Sequence, residues 1–100
     1  MENLKIKGNS WIKKEDNLLI VGITEEAVKK AQDFVFIELP KKGPIKEGQV
    51  YISLESVKWS GHEPSPVTGE IVEVNDPLFD DPTQINKDPL NAWIMKVKED

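Results

Sequence analysis

Thirteen lysines, one histidine and no cysteine set the chemistry open to this 100-residue chain. A general base or metal ligand needs partners. His62 has no second histidine or thiol to work with and reads as an exposed loop residue. Ser56, Ser60 and Ser65 lie in no nucleophile-elbow context, and no glycine-rich phosphate loop is present. Asp76, Asp80 and Asp81 are interrupted by proline and do not match a calcium loop, so they read as a solvated turn. Trp11, Trp59 and Trp93 could stack on bases, but no basic groove accompanies them and the net charge is −5. These residues add up to no self-contained catalytic machinery, so the chain is not expected to be an enzyme. What remains is Lys58, in the run Glu55-Ser56-Val57-Lys58-Trp59-Ser60. An alternating stretch, Val50 to Leu54, precedes it. A Pro/Gly-punctuated strand signal, Ser65 to Val74, follows. This order predicts a β-hairpin tip holding one lysine in solvent, an amine suited to covalent attachment. On the residues alone, such a lysine is normally nothing more than a surface lysine.

Short strands and turns have to position that tip. Leu4 to Lys7 reads as an edge strand and Gly8-Asn9-Ser10 as a turn. Trp11 to Lys14 is a second strand, reversed at Glu15-Asp16-Asn17. Leu18 to Ile23 is apolar on both faces and predicts a buried central strand, with Gly22 marking a bulge or a close backbone approach. Thr24 suits an N-cap, Glu25 and Glu26 suit the positive helix end, and Lys29 and Lys30 follow at i,i+4, so Glu25 to Ala31 reads as a helix. Phe34 to Leu39 is a strand stopped by Pro40, and Lys41 to Pro44 is a loop. In the strand Val50 to Glu55, Val50, Ile52 and Leu54 are expected inward, Tyr51 and Ser53 outward. Trp59 to Glu63 begins the return arm, and Gly69 to Val74 is the next strand. Asn75-Asp76-Pro77 opens a short helix carrying Leu78-Phe79 as an apolar plug. Residues 82–92 read as irregular, anchored by Ile85 and Leu90. Trp93 to Lys98 is a final strand with Trp93, Met95 and Val97 inward. Gly43-Pro44-Ile45-Lys46-Glu47 and Gly69-Glu70-Ile71-Val72-Glu73 share a Gly-x-Ile-x-Glu echo, as two similar halves would. Strands every 8–12 residues or so point to an all-β sandwich or barrel.

The length fits one domain, residues 1–100, with a modest core. No apolar run approaches a membrane span and no signal-peptide core follows Met1, so the expectation is a cytoplasmic protein with neither membrane nor nucleic-acid partners. Residues 1–54 carry 9 lysines and 8 acids, and residues 55–100 carry 4 lysines and 10 acids. The surface from Lys58 onward is therefore acidic, which either steers the domain towards basic clefts or simply keeps it soluble.

Several segments in register resemble the glycine cleavage system H protein family. They are Val21-Gly22-Ile23-Thr24, Asp33 to Pro40, Glu55-Ser56-Val57-Lys58, Ser65 to Asn75, Ile85-Asn86, Asp88-Pro89 and Trp93 to Lys98. The resemblance implies the barrel-sandwich hybrid fold of lipoyl carriers, with two antiparallel sheets plus one or two short helices. It implies lipoate joined by an amide to Lys58, with Glu55, Ser56, Val57 and Trp59 flanking the site. Biotin carriers share the fold but place Met on both sides of the lysine, so Val57 and Trp59 favour lipoate. The implied role is a carrier shuttling an aminomethyl group, and electrons, between enzymes on a lipoyl-lysine arm. The implied partners are a lipoate ligase or lipoyl/octanoyl transferase, glycine decarboxylase, aminomethyltransferase and dihydrolipoamide dehydrogenase. The carrier itself is expected to be a monomer.

The chain departs from the family pattern around the cargo. Asn9-Ser10 stands where the family has His-Glu before the tryptophan, and His62 stands where it has Asp. Trp59 replaces a small residue, and Glu63-Pro64 replaces Leu-Tyr. Ser10 and His62 are thus the expected cargo-cleft positions, each without its acid. Three readings stay open: a glycine-cleavage carrier with a relaxed cleft, an H-like lipoyl carrier for lipoyl relay or another redox or sulfur system, and an unmodified interaction scaffold.

Overall fold

The computed structural model describes residues 4–99. The chain runs β1 (Leu4–Lys7), β2 (Ser10–Glu15), β3 (Leu18–Ile23), α1 (Glu25–Ala31), β4 (Phe34–Glu38), β5 (Gly43–Ile45), β6 (Val50–Ser56), β7 (Ser60–Pro64), β8 (Gly69–Val74), α2 (Pro77–Asp80), α3 (Thr83–Lys87) and β9 (Trp93–Glu99). The strands form a six-stranded sheet, β1-β2-β3-β9-β8-β5, and a three-stranded sheet, β4-β6-β7, every pair antiparallel. One apolar core holds the two sheets and the helices together, with Val21, Ile37, Ile85, Ile94, Met95 and Val97 at 0% exposure. This is the barrel-sandwich hybrid with two antiparallel sheets that the family resemblance implies.

Local chemistry accounts for α1. The Thr24 hydroxyl accepts the Ala27 N–H at 3.2 Å, Glu25 and Glu26 occupy the first turn and Lys29 and Lys30 the last. Each of these satisfies or complements an end of the helix. The helix stops where Gln32 turns left-handed at φ 64°. Asn86 clamps that corner, donating to the Gln32 carbonyl at 2.7 Å and accepting the Phe34 N–H at 3.0 Å.

Gly22 behaves as its place in a buried strand predicts. The β3–β9 register shifts between Val21 and Gly22, and Trp11 lies opposite Gly22 in β2. The Trp11 ring is packed so closely on Gly22 that a Cβ there would overlap it. Trp11 is held in place by its indole N–H, which donates to the Pro89 carbonyl at 2.9 Å. Gly22→Ala should cost about 1–3 kcal/mol, the range for overpacking a well-filled core. Thermal unfolding reads this directly, and an unchanged midpoint would show that the ring has room to move.

The Gly-x-Ile-x-Glu echo has a structural counterpart. The two segments pair with each other antiparallel, Gly43 opposite Ile71, Pro44 opposite Glu70 and Ile45 opposite Gly69. Each glycine thus faces the other segment's isoleucine, the arrangement a local two-fold axis produces.

Several expectations are corrected. Gly43 and Pro44 belong to an edge strand rather than a loop, and edge pairing tolerates a proline. Among the described residues three helices form instead of one or two, because Thr83 to Lys87 is helical. Leu78 is buried as part of the plug, but Phe79 is 55% exposed. Ile85 anchors its segment at 0% exposure, whereas Leu90 is 39% exposed. In β6 the facing is reversed at one point: Tyr51 is buried and Val50 exposed. The β6–β7 register slips between Val50 and Ile52, and this bulge turns Tyr51 inward beside Ile52. In β9 a similar slip leaves Ile94 between the pairs Gly22–Trp93 and Val21–Met95. Ile94 is therefore buried, and Trp93 is half-buried beneath the Lys96 ammonium, 4.7 Å from its ring. The Tyr51 hydroxyl bonds the buried Ser10 hydroxyl at 2.7 Å. Burial, offset by that hydrogen bond and reinforced by the nearby Glu63 charge, pushes the phenol well above its ordinary pKa. The stabilisation from a neutral buried Tyr51 is thus complete below about pH 10 and is lost as pH rises further.

Candidate functional site

The strands β6 and β7 form the hairpin, and Val57-Lys58-Trp59 is its turn. Lys58 is exposed at the tip. The turn is built around Ser56. Its backbone N–H donates to the Trp59 carbonyl at 2.7 Å, and its hydroxyl donates to the same carbonyl at 3.0 Å. The hydroxyl also accepts the Trp59 N–H at 2.9 Å and the Lys58 N–H at 3.3 Å. One buried serine thus satisfies the polar groups that a tight turn leaves unpaired. A further hydrogen bond, from the Val57 N–H to the Asp33 carbonyl at 3.1 Å, ties the tip to the α1–β4 corner. The backbone under Lys58 is therefore fixed from both sides while its side chain projects into water.

Beside the tip opens a cavity of about 240 Å³. Ile23, Ala27, Ala31, Phe34 and Leu54 give it apolar walls, Trp59 lines it next to the tip, and Asn9, Lys30 and Glu63 are its polar members. Trp59 packs against Gly61, where a Cβ would meet the indole ring. Glu63 is only 5% exposed. A buried carboxylate needs partners, and the Asn9 amide donates to it at 3.1 Å. Asn9 is placed for this by its own carbonyl, which accepts the Thr24 N–H at 2.9 Å. Lys30 pairs with Glu26 at 3.9 Å.

Ser10 and His62 do not meet in this cavity. Ser10 is 1% exposed and engaged with Tyr51. His62 lies on the outer face of the small sheet, its Nδ1 2.9 Å from the Ser53 hydroxyl, its neighbour across β6. Their neighbours in sequence, Asn9 and Glu63, do face the cavity, together with Lys30. Glu63 was legible in principle: it pairs with Ile52, and an inward Ile52 puts Glu63 on the inner face. Asn9 carries no such signal, because only the tertiary fold brings it to Glu63. Glu55 and Val57 are exposed on either side of the buried Ser56. Among the described residues no group of three or more His, Cys, Asp or Glu is arranged to hold a metal. None of their helices is long and apolar enough to cross a membrane.

Two antiparallel sheets with a lysine held out on a fixed hairpin turn define a barrel-sandwich hybrid of the lipoyl-carrier type. The comparisons narrow this. The sequence profile of the glycine cleavage H-protein matches residues 4–100. A probable glycine cleavage system H protein from Pyrococcus abyssi is 46% identical over 85 residues, covering 84% of this chain and 63% of the relative. A glycine cleavage system H protein from Clostridium botulinum (strain Loch Maree / Type A3) is 39% identical over 100 residues, covering 98% of this chain and 77% of the relative. The crystal structure of a glycine cleavage system H protein from Mycobacterium marinum superposes with a TM-score of 0.84 at 34% identity, covering 94% of this chain and 86% of that one. The chain belongs to the glycine cleavage H-protein family. It spans slightly under two thirds of the Pyrococcus abyssi relative's length, and somewhat more of the Clostridium botulinum one.

Proposed function

We propose that this chain is a cytoplasmic lipoyl carrier of the glycine cleavage type, with lipoate joined by an amide to Lys58 and no catalytic site of its own. The observation that carries the reading is the Lys58 turn, braced by Ser56 and Asp33 and opening beside a cavity with one buried acid. Bound there, lipoate supplies a disulfide/dithiol couple on a long flexible arm, which a cysteine-free chain does not otherwise possess. The residues present fit that group. The walls from Ile23, Ala27, Ala31, Phe34 and Leu54 shelter an apolar arm end from water. Glu63, oriented by Asn9, accepts hydrogen bonds from an amine-bearing cargo such as an aminomethyl group. It takes over the acid role that Ser10 and His62 cannot supply. Trp59 closes the cavity on the side of the arm. The partners under this reading are a lipoate ligase or transferase that loads Lys58, then glycine decarboxylase, aminomethyltransferase and dihydrolipoamide dehydrogenase.

Co-expression with a lipoate ligase should raise the intact mass by one lipoyl group; no gain with several ligases would leave the unmodified scaffold as the reading. In the loaded carrier, Glu63→Gln should shorten the lifetime of the amine-bearing arm by about 10- to 100-fold. That corresponds to losing one charge-assisted hydrogen bond of about 1.5–3 kcal/mol. Release of ammonia and formaldehyde equivalents measures it, and an unchanged lifetime would remove Glu63 from the cargo site. The shift of the acid from its family positions favours one second reading, a lipoyl carrier for another redox or sulfur system. A glycine–bicarbonate exchange assay with the decarboxylase separates the two.

A further inference from the structure

The small sheet has an outer face that the arm and its cavity do not use. Phe36 on β4 is 48% exposed and Phe79 on α2 is 55% exposed. Their rings meet edge to face, with centroids 6.0 Å apart at 73°. Such an aromatic pair left in water is an uncommon expense for a small domain unless something covers it. Next to Phe36 a shallow groove of about 400 Å³ runs across the sheet to Ser60, Gly61 and His62. Exposed acids border the aromatic pair. Glu55 is the cross-strand neighbour of Phe36, Glu38 lies two residues along on the same strand face, and Asp80 follows Phe79. The elements β4, β6, β7 and α2 contain no lysine or arginine at all. The face is continuous with the Lys58 turn, since Glu55 and Ser60 pair at the last register position before it.

We propose that this face is a docking surface for the enzyme that loads Lys58, through a socket on that enzyme that is apolar in its floor and lysine- or arginine-rich at its rim. Two observations select such a partner. An acidic border around an aromatic centre is complementary to a basic rim around an apolar floor, and it speeds encounter with it. The border also disfavours a second copy of this chain, because self-docking would bring Glu38, Glu55 and Asp80 against their own kind. Adjacency to the tip does the rest: an enzyme that docks here has Lys58 at the edge of its footprint. The inference rests on the lipoyl-carrier reading and adds to it a place of contact away from the lysine.

The test is steady-state lipoylation of the full unmodified chain by a purified lipoate–protein ligase, with intact mass as the readout. Phe79→Ser and Asp80→Lys, both on α2 and exposed, should raise KM for the chain about 10-fold and leave kcat within twofold. Glu15→Lys on the large sheet, an identical change in net charge, should leave both constants unchanged. The wild-type KM should also rise with salt, as a screened charge contact does. If Glu15→Lys and Asp80→Lys weaken loading equally, the effect is one of total charge and the docking face is refuted. A wild-type chain that is lipoylated well, with Phe79→Ser equally efficient, overturns the docking face alone. A wild-type chain that no ligase loads overturns the carrier reading together with it. A wild-type dimer in sedimentation that Phe79→Ser dissociates assigns the face to a second copy instead.

Discussion

If lipoate is carried on Lys58 as proposed, Lys58→Arg should abolish lipoylation outright while leaving the fold unchanged. The substitution keeps a positive charge at the tip, but a guanidinium stays protonated at any accessible pH and offers no free amine for an amide bond. Lys58 is exposed, and the turn beneath it is held by Ser56 and the Asp33 carbonyl rather than by the lysine side chain. Stability should therefore change by less than about 0.5 kcal/mol. Intact mass after co-expression with the ligase gives the first result and thermal unfolding the second. A full lipoyl gain in Lys58→Arg places the attachment on one of the twelve other lysines, and peptide mapping would then identify it.

Phe34→Ala is the substitution with the largest expected cost to the fold. Phe34 is 2% exposed, belongs to the core cluster and walls the cavity beside the tip. Its backbone sits between the Asn86 clamp and a bulge, where the β4–β6 register slips from Phe34 opposite Ser56 to Phe36 opposite Glu55. A buried phenylalanine truncated to alanine costs about 3–5 kcal/mol. Against a total of about 5–15 kcal/mol for a typical domain, that is a large share. The unfolding midpoint should fall by about 4–8 °C for each kcal/mol in a chain of this size. Because Phe34 pairs with Ser56, the turn should loosen with it, and the exchange of the Val57 and Trp59 amides should accelerate before global unfolding. A loss under 1 kcal/mol would mean that the cavity and core close over the gap.

What was legible in the sequence is what local chemistry decides. Thr24, Glu25, Glu26, Lys29 and Lys30 mark α1 from end to end, because each acts on the nearest backbone ends. Gly22 announces its bulge because only a residue without a side chain tolerates the Trp11 ring. The faces of β6 and β9 were legible at Ile52, Leu54, Met95 and Val97 but not at Val50, Tyr51, Trp93 and Ile94. A bulge inverts the in–out alternation, and it is set by the partner strand's register rather than by the residue itself. The helix α3 was hidden for another reason. Its cap position is Pro82, with no side-chain cap, and its order comes from Ile85 in the core and Asn86 at the α1–β4 corner. The lysine at the tip follows from hairpin position and family resemblance together. The buried acid does not follow from matching Ser10 and His62 to family positions, because the carboxylate enters the cavity one residue later, from Glu63.

The bracing of the turn has a kinetic consequence. With Ser56 and the Asp33 carbonyl bracing the backbone on both sides of Lys58, the slack between the domain and a group on that lysine lies mainly in the side chain. A short flexible tether on a fixed post confines its end to a small, defined volume, with an effective concentration on the order of millimolar for any site within reach. Under the proposed carrier reading, once a partner has docked, delivery no longer depends on how much carrier the cell contains. The rate at which a cargo is handed over is then set by tether length and post rigidity, and a Ser56→Gly chain, with the same arm on a looser mount, should hand over more slowly at equal occupancy.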